Sequence, residues 1–299
     1  AEDYNTVLDR LGRLQALANS YVETEDSSAD PIVLTLSYTR TGDYNTQMWQ
    51  LTAGVRDAAF ENYVNTNDSD LQSLQGMSTV TLPGGQNIDF SHLLASMNLV
   101  YNGIPITGSW GGDCMQLAKA YYEQASDEAG YADVMRATFA KDDDGSVSVF
   151  SDQDLRADID SINVGAELTK DTDIATALRD YYQNLSANVV DYARAKQFII
   201  LNFGTVDTSA DNFGDVIYET MLEDSGMQLL LYMNGMWTTS GWTVNNEYAP
   251  ALHGAADLLA EWLANTVNNE KIKSDTNDRL VAMGGEALAE ALAALGYSD

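Results

Sequence analysis

With 299 residues, and a formal net charge of −30 from 45 acidic against 15 basic side chains, the chain has room for one large domain or two small ones. Hydrophobic residues at 45% and charged residues at 20% fit a folded protein, 22 glycines and 4 prolines exclude collagen-like and proline-rich classes, and no apolar run reaches the roughly 18–20 residues of a membrane span. A field of that sign repels phosphate backbones and anionic membranes, and the basic residues stand singly from Arg10 to Arg279, so nucleic acid is not an expected partner.

Helical periodicity dominates from the start. Val7, Leu8, Leu11, Leu14, Leu17 and Ala18 form one apolar stripe, predicting a first helix that ends in the acidic loop 23–30. Asp30-Pro31 then supplies an N-cap followed by proline at the first helical position, which opens a helix running through Arg40. Shorter helical patterns cover 48–53 and 56–64. Thr79 to Leu82, the turn Pro83-Gly84-Gly85 and Gln86 to Ile88 read as a hairpin lying as a flap on a helical body. Further helices are predicted at about 89–100, 113–124, 131–141, 151–162, 171–185, 187–202, 211–224, 227–236, 246–268 and 275–295. The expected fold class is therefore mainly α: a single compact multi-helix domain over 1–299 with one short β-hairpin at about Thr79 to Ile88. A subdomain seam is expected at 141–151, where polarity jumps and glycine appears.

Three groups of residues carry candidate chemistry. His92 stands in the first turn of a helix opened by Asp89, where the helix dipole disfavours a charged ring; a neutral imidazole there is placed to act as a base. The turn Trp110-Gly111-Gly112-Asp113 runs into another helix, and Asp113 is the expected orienting carboxylate, with His92, Trp110 and Asp113 meeting in a cleft under the hairpin. The plainer alternative has Asp89 capping the helix, Phe90, Leu93, Leu94 and Met97 filling the core, and His92 bonded to a nearby loop. Glu61, flanked by Phe60 and Tyr63, is the competing acid for a two-carboxylate mechanism. Cys114 is the lone cysteine, which excludes an intramolecular disulfide, and its register with Leu117, Ala118 and Tyr121 makes it a core residue rather than a nucleophile.

The run Asp142-Asp143-Asp144-Gly145-Ser146 alternates oxygen ligands, so Asp142, Asp144 and Ser146 are a candidate calcium site. It departs from the EF-hand pattern, which would require Asp and Glu where Ala140 and Ser151 stand. His253 forms a polar stripe with Asp257 and Glu261 at a spacing of four, an ordinary solvated helix face. Trp237-Thr238-Thr239-Ser240-Gly241-Trp242 is a loop of a kind that stacks on sugar rings, so Trp237 and Trp242 join Trp110 as candidate binding residues. The alternative is that both tryptophans anchor a helix connection.

Strong acidity is tolerated in high salt or outside the cell, and the start Ala1-Glu2-Asp3 fits a mature secreted product or a trimmed chain. The expectation is a secreted, extracellular or cell-surface bacterial protein: a hydrolase acting on a glycan or cell-wall substrate, or alternatively a non-catalytic helical binding or surface protein stabilised by calcium.

Overall fold

The computed structural model describes residues 2–39, 57–77, 79–83, 85–102, 152–183, 191–233, 235–238 and 240–294. Of these residues 72% are helical, in thirteen helices counting one 3-10 turn, so the fold is mainly α with short hairpins. The chain divides into two units: 1–105 with 156–188, and 106–155 with 189–299. The seam at 141–151 lies outside the described residues.

In the first unit, Asp3 ends a two-residue strand β1 (Glu2–Asp3) and caps α1 (Tyr4–Thr24), accepting from the Thr6 backbone N–H at 2.9 Å. The α1 stripe is buried at Val7, Leu8, Leu11, Leu14 and Ala18, each such leucine contributing about 1.5–3 kcal/mol. Asp30 caps α2 (Pro31–Tyr38) through the Ile32 N–H at 2.9 Å, with Pro31 at the first helical position as its sequence dictates. α3 (Ala58–Asn67), capped by Asp57, and a 3-10 turn (Ser69–Leu74) pack on α1. The hairpin follows: β2 (Thr79–Thr81) and β3 (Asn87–Asp89) pair antiparallel with Val80 opposite Ile88. Gly85 takes φ 83° in the turn, a conformation open to a residue without Cβ. The hairpin is not an isolated flap. β1 adds to it in parallel, Glu2 opposite Val80, making three strands in the order β1-β2-β3, and Val80 and Ile88 are fully buried. Two residues of strand are too few for alternation to be visible in a sequence.

β3 leads directly into α4 (Phe90–Tyr101), and the unit is completed by α5 (Asp152–Gly165), which belongs to it from Arg156 on, and α6 (Ile174–Tyr181). Tyrosines account for much of the unit's bulk while keeping their hydroxyls bonded: Tyr38 donates to Asn65 Oδ1 at 3.0 Å, Tyr101 to Asp30 Oδ2 at 2.6 Å, and Tyr4 to the Leu178 carbonyl at 3.5 Å. Burial pushes the Tyr4 phenol up to about 12, and desolvation followed by the Asp30 carboxylate raises Tyr101 to about 12 as well. A phenol whose folded pKa exceeds the unfolded value near 10 stabilises the fold fully below about pH 10 and loses that contribution as pH rises towards 12. In an absorbance titration of the 16 tyrosines, a late group should ionise together with loss of helical circular dichroism; complete ionisation near pH 10 with the helices intact would contradict this.

The second unit holds α7 (Asp191–Phe203), α8 (Phe213–Glu223), α9 (Ser225–Met233), α10 (Ala249–Asn268), α11 (Glu270–Met283) and α12 (Gly285–Ala294). α10 is its central helix, burying Leu252, Ala255, Leu259 and Leu263 and packing on α7, α8 and α11. The single helix expected over 275–295 is two. Gly284 and Gly285 take φ 61° and 54°, a left-handed pair that ends α11 and starts α12. A second hairpin, β4 (Trp237–Thr238) with β5 (Thr243–Val244), occupies what the sequence suggested was loop, Trp237 opposite Val244.

Candidate functional site

The most unusual chemistry in the first unit lies between α4 and α5. Asp89 ends β3 and caps α4 by accepting from the His92 N–H at 2.9 Å, which fixes where the histidine leaves the helix. Phe90, Leu93, Leu94 and Met97 are buried, as the plainer reading of this helix required. His92 is buried beside them, but its partner is not a loop. Its Nε2 lies 2.7 Å from Asp158 Oδ1 on α5, a pair 66 residues apart in sequence. Seven or eight residues further along, Gly165 meets Val100: a methyl on Gly165 would stand 3.0 Å from the Val100 Cβ. α4 and α5 therefore run side by side in the same direction, and glycine permits their close approach.

Both helices bury polar groups where a helical core is normally apolar. Ser91, His92, Ser96 and Asn98 on α4, with Asp158, Asp160, Ser161 and Asn163 on α5, are eight of the thirteen buried polar or charged side chains among the described residues. Asp160 accepts from the hydroxyls of Tyr181 at 2.9 Å and Tyr182 at 2.7 Å, and Asn163 Nδ2 donates to Tyr181 at 3.0 Å. Burial pushes the Asp89 carboxyl up, opposed by the nearby His92 and by backbone N–H groups of His92 and Ser91. One carboxylate, Asp158, thus meets the imidazole itself, and the other, Asp89, meets the same residue's backbone N–H. Opposite an ionised Asp158, Nε2 carries the proton of the neutral ring and Nδ1 the lone pair.

Among the described residues the carboxylate that meets the His92 ring is Asp158. Asp113, Trp110 and Cys114 lie outside those residues, as do Asp142, Asp144 and Ser146. Glu61 is half-buried in the first turn of α3, a helix packed on α1 and the 3-10 turn, whereas α4 packs on α2 and β3. Sequence reasoning missed Asp158, Asp160, Tyr181 and Tyr182. The available signal was the segment Ala157-Asp158-Ile159-Asp160-Ser161-Ile162, where two aspartates alternate with apolar residues and no basic residue follows within a turn.

In the second unit the two candidate tryptophans part company. Trp237 is 8% exposed and part of the core, whereas Trp242 is 57% exposed and Tyr232 50%. Trp242 packs edge-on against Trp237 with ring centroids 5.9 Å apart, and lies 6.5 Å from Tyr232 at an interplanar angle of 32°. Trp242 also has φ 50°, a left-handed conformation that a bulky residue adopts at a cost of about 1–3 kcal/mol. The backbone thus holds an indole outward against its own preference.

Residues 94–270 match the model of a family described as YkzU uncharacterised protein, a span of 177 of the 299 residues. It includes Asp158, Asp160 and the second hairpin, and begins two residues after His92. No curated protein and no solved structure matches the chain.

Proposed function

The chain belongs to the YkzU uncharacterised protein family, and from that premise we propose that it is a secreted bacterial hydrolase of a glycan or cell-wall substrate, with His92 and Asp158 as its proton-transfer pair. The observation that carries this reading is the 2.7 Å contact between His92 and Asp158, a buried ionisable pair in the interior of a helical unit. Buried ionisable pairs are poor stabilisers compared with packed apolar side chains, so a cluster of them is a candidate for chemistry. Asp158 holds Nε2–H, Nδ1 accepts a proton from water or a substrate hydroxyl, and the adjacent carboxylates stabilise the imidazolium that forms. Asp160, clamped by Tyr181 and Tyr182, sets the rotation of α5 and with it the aim of Asp158.

The outward pair of rings at Trp242 and Tyr232 supports a sugar-containing ligand, since apolar sugar faces stack on exposed aromatics. The net charge of −30 supports an extracellular or cell-surface place, and no helix among the described residues is long and apolar enough to cross a membrane. Calcium at Asp142, Asp144 and Ser146 belongs to the same reading. The exposed rings also favour a second reading, a glycan-binding protein without chemistry.

Isolated peptidoglycan and soluble glycans incubated with the protein should release reducing ends or free amines. His92→Gln and Asp158→Asn should lower that rate by about 10²–10⁴-fold, while Trp242→Ala should weaken retention of the protein on insoluble glycan. Full activity in a folded His92→Gln protein would remove the pair from catalysis. Glycan binding that is lost in Trp242→Ala, with no release by the wild type, would select the binding reading.

A further inference from the structure

We infer that His253 and Asp257 bind a transition-metal ion of the zinc class, with Asp215 as the carboxylate that orients the histidine. The three residues meet where α8 crosses α10, outside the His92–Asp158 pair and the aromatic hairpin. The crossing is close because of Gly214: a methyl there would run into the Asp257 side chain, and its absence lets the two helices bring their carboxylates to one imidazole. Tyr218 packs on the ring with centroids 4.7 Å apart, so the imidazole is held on its face as well as at its edges.

The two ring nitrogens are not equivalent. Nε2 lies 2.7 Å from Asp215 Oδ1, an ordinary charge-assisted hydrogen bond, so Nε2 carries the proton. Nδ1 lies 3.3 Å from Asp257 Oδ2. In the singly protonated ring this places a lone pair opposite a carboxylate oxygen, and a positive centre between them is needed to make the arrangement favourable. A tetrahedral ion with nitrogen and oxygen ligands at about 2.0–2.1 Å sets those ligands about 3.3 Å apart, which is the separation present. His253 to Asp257 is one helical turn, so both ligands come from one rigid element. Asp215 on the neighbouring helix completes a carboxylate–histidine–metal relay, which fixes the tautomer and makes Nδ1 a better donor. An imidazole in the donor set selects zinc-class ions over calcium and magnesium, which prefer oxygen alone. The ring is 38% exposed at its side chain, leaving the remaining coordination positions open to water.

The rival occupant of the gap is a second proton, giving an imidazolium between two carboxylates and no metal. Titration of the metal-free full-length protein with Zn²⁺ separates the two. A chromophoric chelator serves as competitor, and high salt with excess Ca²⁺ and Mg²⁺ suppresses diffuse binding to the acidic surface. One saturable Zn²⁺ site is expected, lost in His253→Ala and weakened by about 10–100-fold in Asp215→Asn. Binding equal to the wild type in a folded His253→Ala protein, or no saturable site in the wild type, overturns the inference. The chain has two histidines, so ring nitrogen resonances of the unmodified protein give an independent reading. Zn²⁺ should move the His253 Nδ1 signal and leave that of His92 in place; the reverse pattern, or no movement, would also overturn it.

Discussion

Replacing His92 with alanine is expected to destabilise the first unit by about 3–5 kcal/mol, because it leaves the Asp158 carboxylate in the interior without the imidazole 2.7 Å away. Asp158 is fully buried and His92 nearly so, so water cannot restore the lost interaction without opening the α4–α5 interface. Against typical stabilities of about 5–15 kcal/mol this is a large fraction of the fold's free energy. The companion experiment is the double replacement His92→Leu with Asp158→Leu. It removes both ionisable groups together, and it should recover most of the loss, since a buried pair exchanged for packed apolar side chains is close to neutral. Urea unfolding followed by circular dichroism measures both. A loss below about 1 kcal/mol in His92→Ala would mean that the pair is open to solvent, and would remove the desolvated environment on which the proton-transfer proposal depends.

The second large effect expected is stabilisation by salt. A net charge of −30 repels itself most strongly in the compact state, and the screening length falls from about 30 Å at 0.01 M to about 3 Å at 1 M. Each kcal/mol of relieved repulsion moves Tm by about 2–4 °C in units of this size, so a rise of several degrees is expected between those limits. Thermal unfolding in sodium chloride tests this, and an unchanged or falling Tm would contradict it. The calcium proposal adds a finer test. Calcium at millimolar concentration should raise Tm further than magnesium at equal ionic strength if Asp142, Asp144 and Ser146 form a site, because magnesium demands a stricter geometry. Equal shifts would leave screening alone.

Local structure was legible wherever one residue type has one job. Asp30-Pro31 announced a cap and a helix start, the apolar stripe of α1 named its own buried face, and Pro83-Gly84-Gly85 announced a turn between two short strands. These signals depend on a few neighbouring dihedrals and on which side chains avoid water, and both are written along the chain. The same logic failed where the decisive partner was distant or the element too short. Two residues of β1 have no alternation to read, and α11 and α12 looked like one helix because glycine is tolerated inside a helical pattern until its φ is known.

The candidate sites depended almost wholly on the tertiary structure. His92 was visible as a histidine at a helix start, but nothing near it in sequence identified Asp158, since two groups that must share a proton need only meet in space. Trp237 and Trp242 were one motif on paper; the β4–β5 pairing buried the first and turned the second outward. His253 and Asp257 read as an ordinary solvated pair until α8 brought Asp215 to the other ring nitrogen. The sequence by itself determined helix content, caps and net charge, because each follows from local geometry or from addition over residues. Which ionisable groups face one another was decided only by helix packing, because that depends on the relative rotation and approach of distant elements, set here by side chains as small as Gly165 and Gly214.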